Sequence, residues 1–371
     1  MSRDNLDEAA MQLVGAGAAQ EAVLRHQGRN AIDWGPLRVG HIDTGLFKDS
    51  IFGAWQGNDH PVILLREGLN LMPGEENDLP LDPYPDHYRG LLDDIPGHGT
   101  RTCGLIAAGA PGLFRGVAPG VPVVPYRATN RVFIADDDNS SRVGRAIRHA
   151  VARGCEVISI SLGYPQLGSK FFFLNIFRDI LGKRDRTLGE AVDEAYENGV
   201  IVVAAGGQIV STVVYPGRFS RTICAGGVDE RGVVYRQAKY EQFQERVNVW
   251  APADDVSVPD VPEAPGRTKK GEGTSYATAV VAGAAALWLT RHRDKIEQLY
   301  GRGPRRVEAF RRLLSQTCDP MRGDDYRPEG PTGILNIRRL VNMEDAMGHP
   351  LEFPDPDSLN TDLPVAAGEY I

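Results

Sequence analysis

The chain has 371 residues, 42% hydrophobic and 24% charged, which supplies a sizeable core and excludes a disordered chain, a coiled coil or a small disulfide scaffold. Its 41 Lys and Arg against 49 Asp and Glu give a formal net charge of -8, so a nucleic-acid partner, which needs a basic surface, is not expected. No apolar run of about 18 residues occurs, so no membrane span is expected either.

Residues 4–25 are Ala-rich, with acids early and Arg25 and His26 late, the polarity a helix dipole favours. They make 1–27 an N-terminal helical extension. Its acids, and the lack of a basic stretch before a continuous apolar run, argue against a signal peptide and leave a cytoplasmic location as the default. Strand-like runs follow at Leu37–Ile42, Pro61–Leu65, Val121–Tyr126, Glu156–Ser161, Val200–Ala205, Thr222–Ala225 and Val247–Trp250. Helical patterns lie between them at Thr100–Ala108, Ser140–Ala152, Leu188–Asn198 and Ser275–Arg291. This alternation, with strands apolar on both faces, predicts a doubly wound, mainly parallel sheet in a three-layer α/β/α sandwich. Residues 66–97, rich in Pro and Asp, and 164–187, an aromatic cluster followed by GKRDR, read as insertions. The cluster Ala135–Asn139 reads as a solvated acidic loop, and the Pro-rich acidic tail, 346–371, as extended or partly disordered from Gly348 onward. Cys103, Cys155, Cys224 and Cys318 form no CxxC pair and sit among apolar neighbours, which points to buried free thiols.

Three segments carry chemistry. VGHIDTGL puts Asp43 at the C-terminal end of a buried strand, where a carboxylate needs hydrogen bonds or a cation; alone, it reads as a turn cap. His41 points to the same face, but a metal pair there lacks a third ligand. GHGTRTCGLIAA sets His98 between glycines that allow close approach to the imidazole; alone, this is a capping loop. GEGTSYATAVVAGAAALWL places Ser275 at the N-terminus of a buried small-residue helix, where free N–H groups and the helix dipole favour an oxyanion; alone, it is an N-cap.

Together, Asp43, His98 and Ser275 in this order resemble the catalytic triad of subtilisin-like serine proteases. The resemblance spans about residues 37–340. GVAPGVPVVPYRA, AIRHAVARGCEVISISLG, VIVVAAGG, YPGRF, VNVWAPA and GPTGILNI fall in the family's order. It implies a catalytic domain over 28–345, with Ser275 as nucleophile, His98 as general base and acid, and Asp43 orienting the imidazole. It also implies that Ser161, Leu162 and Gly163 pair with substrate backbone, and that Ala204, Ala205 and Gly206 line a roomy apolar slot. Two departures stand out. Gly207 and Gln208 occupy the place of the asparagine that completes the oxyanion hole beside Ser275, and Ala279 replaces a proline after the serine motif. The expected function is a cytoplasmic serine endopeptidase acting on a peptide or protein substrate through an acyl-enzyme. Alternatives are a catalytically weak or inactive peptide- or protein-binding module, or an acyl-transferring peptide macrocyclase. No cofactor is needed for the chemistry; structural calcium is frequent in the family, with no site placed here, and the oligomeric state is open. The resemblance puts the 135–139 cluster near the non-prime subsites, where it would favour Lys or Arg in the substrate. Residues 1–27 would be either a short leader covering the groove or a helix packed on the body.

Overall fold

The structure, a computed structural model, describes residues 9–83, 96–134, 137–164, 178–208, 212–235, 246–261, 263–322 and 332–369, with the backbone alone for 137 and 178–185. Helices α1 (Ala9–Leu13) and α2 (Ala16–Gln27) come first, with Gly15 turning the chain between them at a φ of 66°. Strands β1 (Val39–Asp43) and β2 (Leu69–Asn70) lead to α3 (His98–Ala107) and β3 (Val123–Arg127). Then follow α4 (Asp137–Ala152), β4 (Val157–Ile160), α5 (Arg178–Glu197), β5 (Ile201–Ala205), β6 (Ile223–Val228) and β7 (Val249–Pro252). Strands β8 (Val256–Pro259) and β9 (Thr268–Gly271) precede α6 (Thr274–Arg291), α7 (Arg293–Tyr300), α8 (Pro304–Thr317) and α9 (Ile337–Asn342).

Seven strands form one parallel sheet in the order β2-β3-β1-β4-β5-β6-β7. Alternate residues along each strand serve two cores. Val39, Val123, Val157 and Ile201 join Leu105 of α3 and Val280 of α6 on one face. Ile42, Val124, Ile158 and Val202 join Ile147 of α4 and Val192 of α5 on the other. These are the layers of the expected sandwich, and burial on both faces explains the unbroken apolar runs. Winding reverses between β1 and β4, and such a switch point leaves a crevice at the strands' C-terminal ends. Asp43 and Ser161 stand on its two sides.

Helix α6 runs through the centre, packed on β4 to β7 and on α2, α3 and α9. Its small residues permit this approach. A Cβ on Gly283 would lie 2.7 Å from the Val117 Cβ. Val280, Val281, Leu287 and Trp288 are fully buried, each aliphatic side chain contributing about 1.5–3 kcal/mol of transfer free energy.

Several expectations need correction. Of Pro61–Leu65, only Ile63 bridges to Val123; a proline offers no ladder donor, and the edge strand is β2, inside the stretch read as an insertion. The second insertion contributes the start of α5, while 84–95 and 165–177 lie outside the described residues. Residues 137–139 open α4 instead of forming a loop, and Asn139 is buried against Arg142; 135–136 are outside the description. The N-terminal helices are packed on the body. Val14, Ala16, Ala19 and Val23 are fully buried, the Val14 carbonyl accepts from Ile337 N–H, and Gln20 Nε2 donates to the Gly116 and Val117 carbonyls at 2.9 and 3.0 Å. The tail is extended but pinned. Tyr300 Oη donates to the Pro354 carbonyl at 2.7 Å, and the Ala366 and Ala367 N–H groups donate to Asp193 at 2.7 and 3.1 Å. The Glu369 carboxylate accepts from Ser220 N–H and Oγ, both at 2.8 Å, and from Arg246 at 2.9 Å.

Candidate active site

Asp43 ends β1 fully buried, and its carboxylate is satisfied on both oxygens. Oδ1 accepts the Thr44 N–H at 2.7 Å and pairs with His98 Nδ1 at 2.7 Å; Thr102 Oγ1 donates to Oδ2 at 3.3 Å. Burial alone would raise this carboxyl, but the charge and hydrogen bond of His98, with smaller contributions from His41 and the Thr44 N–H, draw it below the ordinary carboxylate value. It is therefore the anion that orients an imidazole.

The glycines around His98 have a steric cause. Gly97, at a φ of 71°, is the cap residue just before α3 and donates its N–H to Asp82 at 3.0 Å. A Cβ on Gly99 would stand 2.2 Å from the Gly45 carbonyl oxygen, so only glycine lets the start of α3 rest on the loop after β1. Gly99 N–H to Thr44 Oγ1 at 3.1 Å and Phe47 N–H to Thr100 Oγ1 at 2.8 Å complete the contact. The sequence TGL after Asp43 and GHGT around His98 are thus two halves of one joint.

Ser275 is the second residue of α6. Its Oγ donates to the Ser161 carbonyl at 3.2 Å, and Ser161 Oγ donates to the Ser275 carbonyl at 3.0 Å. The structure so joins Ser161 to Ser275 and Asp43 to His98, but the serine hydroxyl makes no hydrogen bond to His98. Catalytic hydrogen bonds without substrate are often long or misaligned and tighten later.

The remaining predicted residues surround these. Gly163 is not a free edge. Its N–H donates to the Val132 carbonyl at 3.2 Å and its carbonyl accepts from Ile134 N–H at 2.9 Å, so a peptide pairing there must displace 132–134. Leu162 is buried at 1% exposure. Ala204 and Ala205 end β5, and Gly206 receives the Val214 N–H at 3.0 Å. Val214 stands between Gly163 and Gly207, its methyls 2.4 Å from a Cβ built on Gly163 and 2.6 Å from one on Gly207. Sequence reading missed Val214, since valine before YPGRF carries no chemical signal. Gly207 has a φ of 91°. Gln208 Oε1 accepts the Thr274 N–H at 2.8 Å, capping α6 and leaving its amide nitrogen as a donor beside Gly273. Among the described residues, no group of three or more His, Cys, Asp or Glu side chains could hold a metal ion, so no calcium seat is assigned.

The sequence profile of the subtilase family matches residues 63–331. The chain belongs to the subtilase family. The subtilase profile takes in His98 and Ser275, while Asp43 lies before its start. Subtilisin from Bacillus pumilus is 29% identical over 299 residues, covering 74% of this chain and 90% of that one. Subtilisin BL from Lederbergia lenta is 29% identical over 256 residues, covering 68% and 75%. Among solved structures, the prenylagaramide maturation protease PagA superposes with a TM-score of 0.58 at 19% identity, over 88% of this chain and 97% of that one. That likeness supports the subtilase fold. Among the described residues, no helix of this subtilase is long and apolar enough to cross a membrane.

Proposed function

We propose that the protein is a serine endopeptidase that hydrolyses peptide bonds through an acyl-enzyme. The observation that carries this reading is the buried His98 Nδ1–Asp43 Oδ1 pair at 2.7 Å, held on the helix that packs against the one bearing Ser275. In this mechanism Ser275 Oγ leaves the Ser161 carbonyl, gives its proton to His98 Nε2 and attacks the scissile carbonyl. Asp43 stabilises the imidazolium, which then protonates the leaving amine. The Ser275 N–H at the helix N-terminus and the Gln208 amide nitrogen face the oxyanion. A second reading, a peptide-binding module with weak or no catalysis, is favoured by the Ser275 hydroxyl being bonded to Ser161 and by the glycine at 207. A fluorophosphonate probe separates the two. Labelling of the wild type, abolished in Ser275→Ala and His98→Ala, is expected; an unlabelled, folded wild type refutes the peptidase reading. Product mass then separates hydrolysis from cyclisation.

A further inference from the structure

Beneath the Asp43–His98 pair lies a polar chain that the mechanism above does not use. His41, two residues before Asp43 on β1, is 1% exposed within the apolar layer facing α3 and α6. A buried imidazole costs free energy unless its ring N–H groups are satisfied, and an aliphatic side chain would suit this layer better. Its Nε2 lies 2.9 Å from Thr102 Oγ1 and 4.0 Å from Asp43 Oδ2.

The Thr102 hydroxyl has one hydrogen and four polar neighbours. These are His41 Nε2, the His98 carbonyl at 3.1 Å, the Gly99 carbonyl at 3.2 Å and Asp43 Oδ2 at 3.3 Å. Three of them can only accept. If His41 supplies the hydrogen between itself and Thr102, the hydroxyl is free to donate onward, and the charged carboxylate is its strongest acceptor. With the other imidazole tautomer, Thr102 must donate to His41, and Asp43 Oδ2 loses its donor. With no histidine, the helix carbonyl four residues back competes for the hydroxyl hydrogen.

We propose that His41 and Thr102 are positioning residues for the Asp43–His98 pair: His41 Nε2–H donates to Thr102 Oγ1, which donates to Asp43 Oδ2 and keeps Oδ1 aimed at His98 Nδ1. Burial holds His41 from 6.5 down to about 4, outweighing the attraction of Asp43, so it acts as a neutral dipole. Asp43 and His98 are the titratable groups facing it from β1 and α3. Cys103 on α3 and Tyr276 on α6 face Asp43, and burial raises both so that they stay neutral; Arg101 faces Tyr276. Across the sheet the register neighbours of His41 are Pro125 and Ser159, which do not titrate.

The proposal rests on the peptidase reading for the purpose of the pair, but its test needs no turnover. Nitrogen-edited NMR of the full chain reads the His41 tautomer and the His98 Nδ1–H resonance. His41 is expected as the Nε2–H tautomer; the Nδ1–H form overturns the proposal. Removing the donor to Oδ2 leaves more charge on Asp43 and strengthens the His98 Nδ1–H bond to Oδ1. Thr102→Val and His41→Val should each move that resonance downfield. The double variant should shift no further, because both act through one bond. Thr102→Ser should leave it at its wild-type position. An unchanged His98 in folded Thr102→Val or His41→Val overturns the proposal; if His41→Val does not fold, the wild-type tautomer and the Thr102 pair decide. Probe labelling run in parallel tells the failure of the peptidase reading apart, since an unlabelled wild type leaves the His98 resonance readable.

Discussion

On the peptidase reading, Gln208→Glu separates the proposed oxyanion donor from the helix cap. Gln208 Oε1 accepts the Thr274 N–H at 2.8 Å, so the amide orientation is set and its nitrogen is the end left for substrate. Glutamate keeps an oxygen for Thr274 and adds a negative charge at the N-terminus of α6, worth about 0.3–1 kcal/mol of stabilisation there. It removes the N–H donor. Losing one oxyanion donor costs about 100–1,000-fold in kcat, or roughly 2.7–4 kcal/mol of transition-state stabilisation. Urea unfolding of Gln208→Glu should therefore show stability held or raised, while kcat on a peptide substrate falls by about two orders of magnitude or more. Gln208→Ala should lose both. A Gln208→Glu enzyme within about threefold of wild type, far short of a lost donor, refutes the assignment. Restoring asparagine at 207 is not a rescue. At a φ of 91°, its Cβ would stand 2.6 Å from a Val214 methyl, so Gly207→Asn should destabilise the loop.

Val214→Gly should open the slot between Gly163 and Gly207, raising kcat/KM for a large residue before the cut, relative to alanine there, by about 10–100-fold; an unchanged ratio in a substrate library means Val214 does not set the slot. Glu369→Ala strips three donors of their acceptor and should lower stability by about 1–3 kcal/mol, read as a shift in urea midpoint. Burial holds His41 and His292 from 6.5 down to about 4, so the unfolded chain takes up protons that the folded chain refuses. Their neutral burial is without penalty above about pH 6.5, and stability is lost as pH falls from there through about 4, by about 2 kcal/mol for His41 at about pH 5. Equal urea midpoints at about pH 7.5 and pH 5 would sink that account.

The layers and the Asp43–His98 pair were legible because each has a local signature. Buried parallel strands read as apolar runs, and the steric joint of Gly99 on Gly45 forces glycines into fixed places. What escaped depends on partners distant in sequence. The tail looked loose by composition, yet Glu369 meets Ser220 and Arg246, and Asp193 meets the Ala366 N–H. The pair β8–β9 was invisible because β9, TKKG, is polar and alternately half-exposed. His41 was weighed only as a metal ligand and set aside for want of a third ligand. The clue was Thr102, four residues after His98 and so one helical turn along the same face.

The seat of α6 is built from segments about 300 residues apart in the sequence. Helix α2 packs on α6 and on α9, and Val14 is tied to Ile337 by a backbone hydrogen bond. During synthesis, α2 can complete its contacts only once α9 has left the ribosome, and closing so long a loop is slow. The helix bearing Ser275 then acquires its rigid support only after α9 exists. On the peptidase reading, nascent chains stalled before Ile337 should fail to react with a fluorophosphonate; reactive stalled chains would contradict this timing.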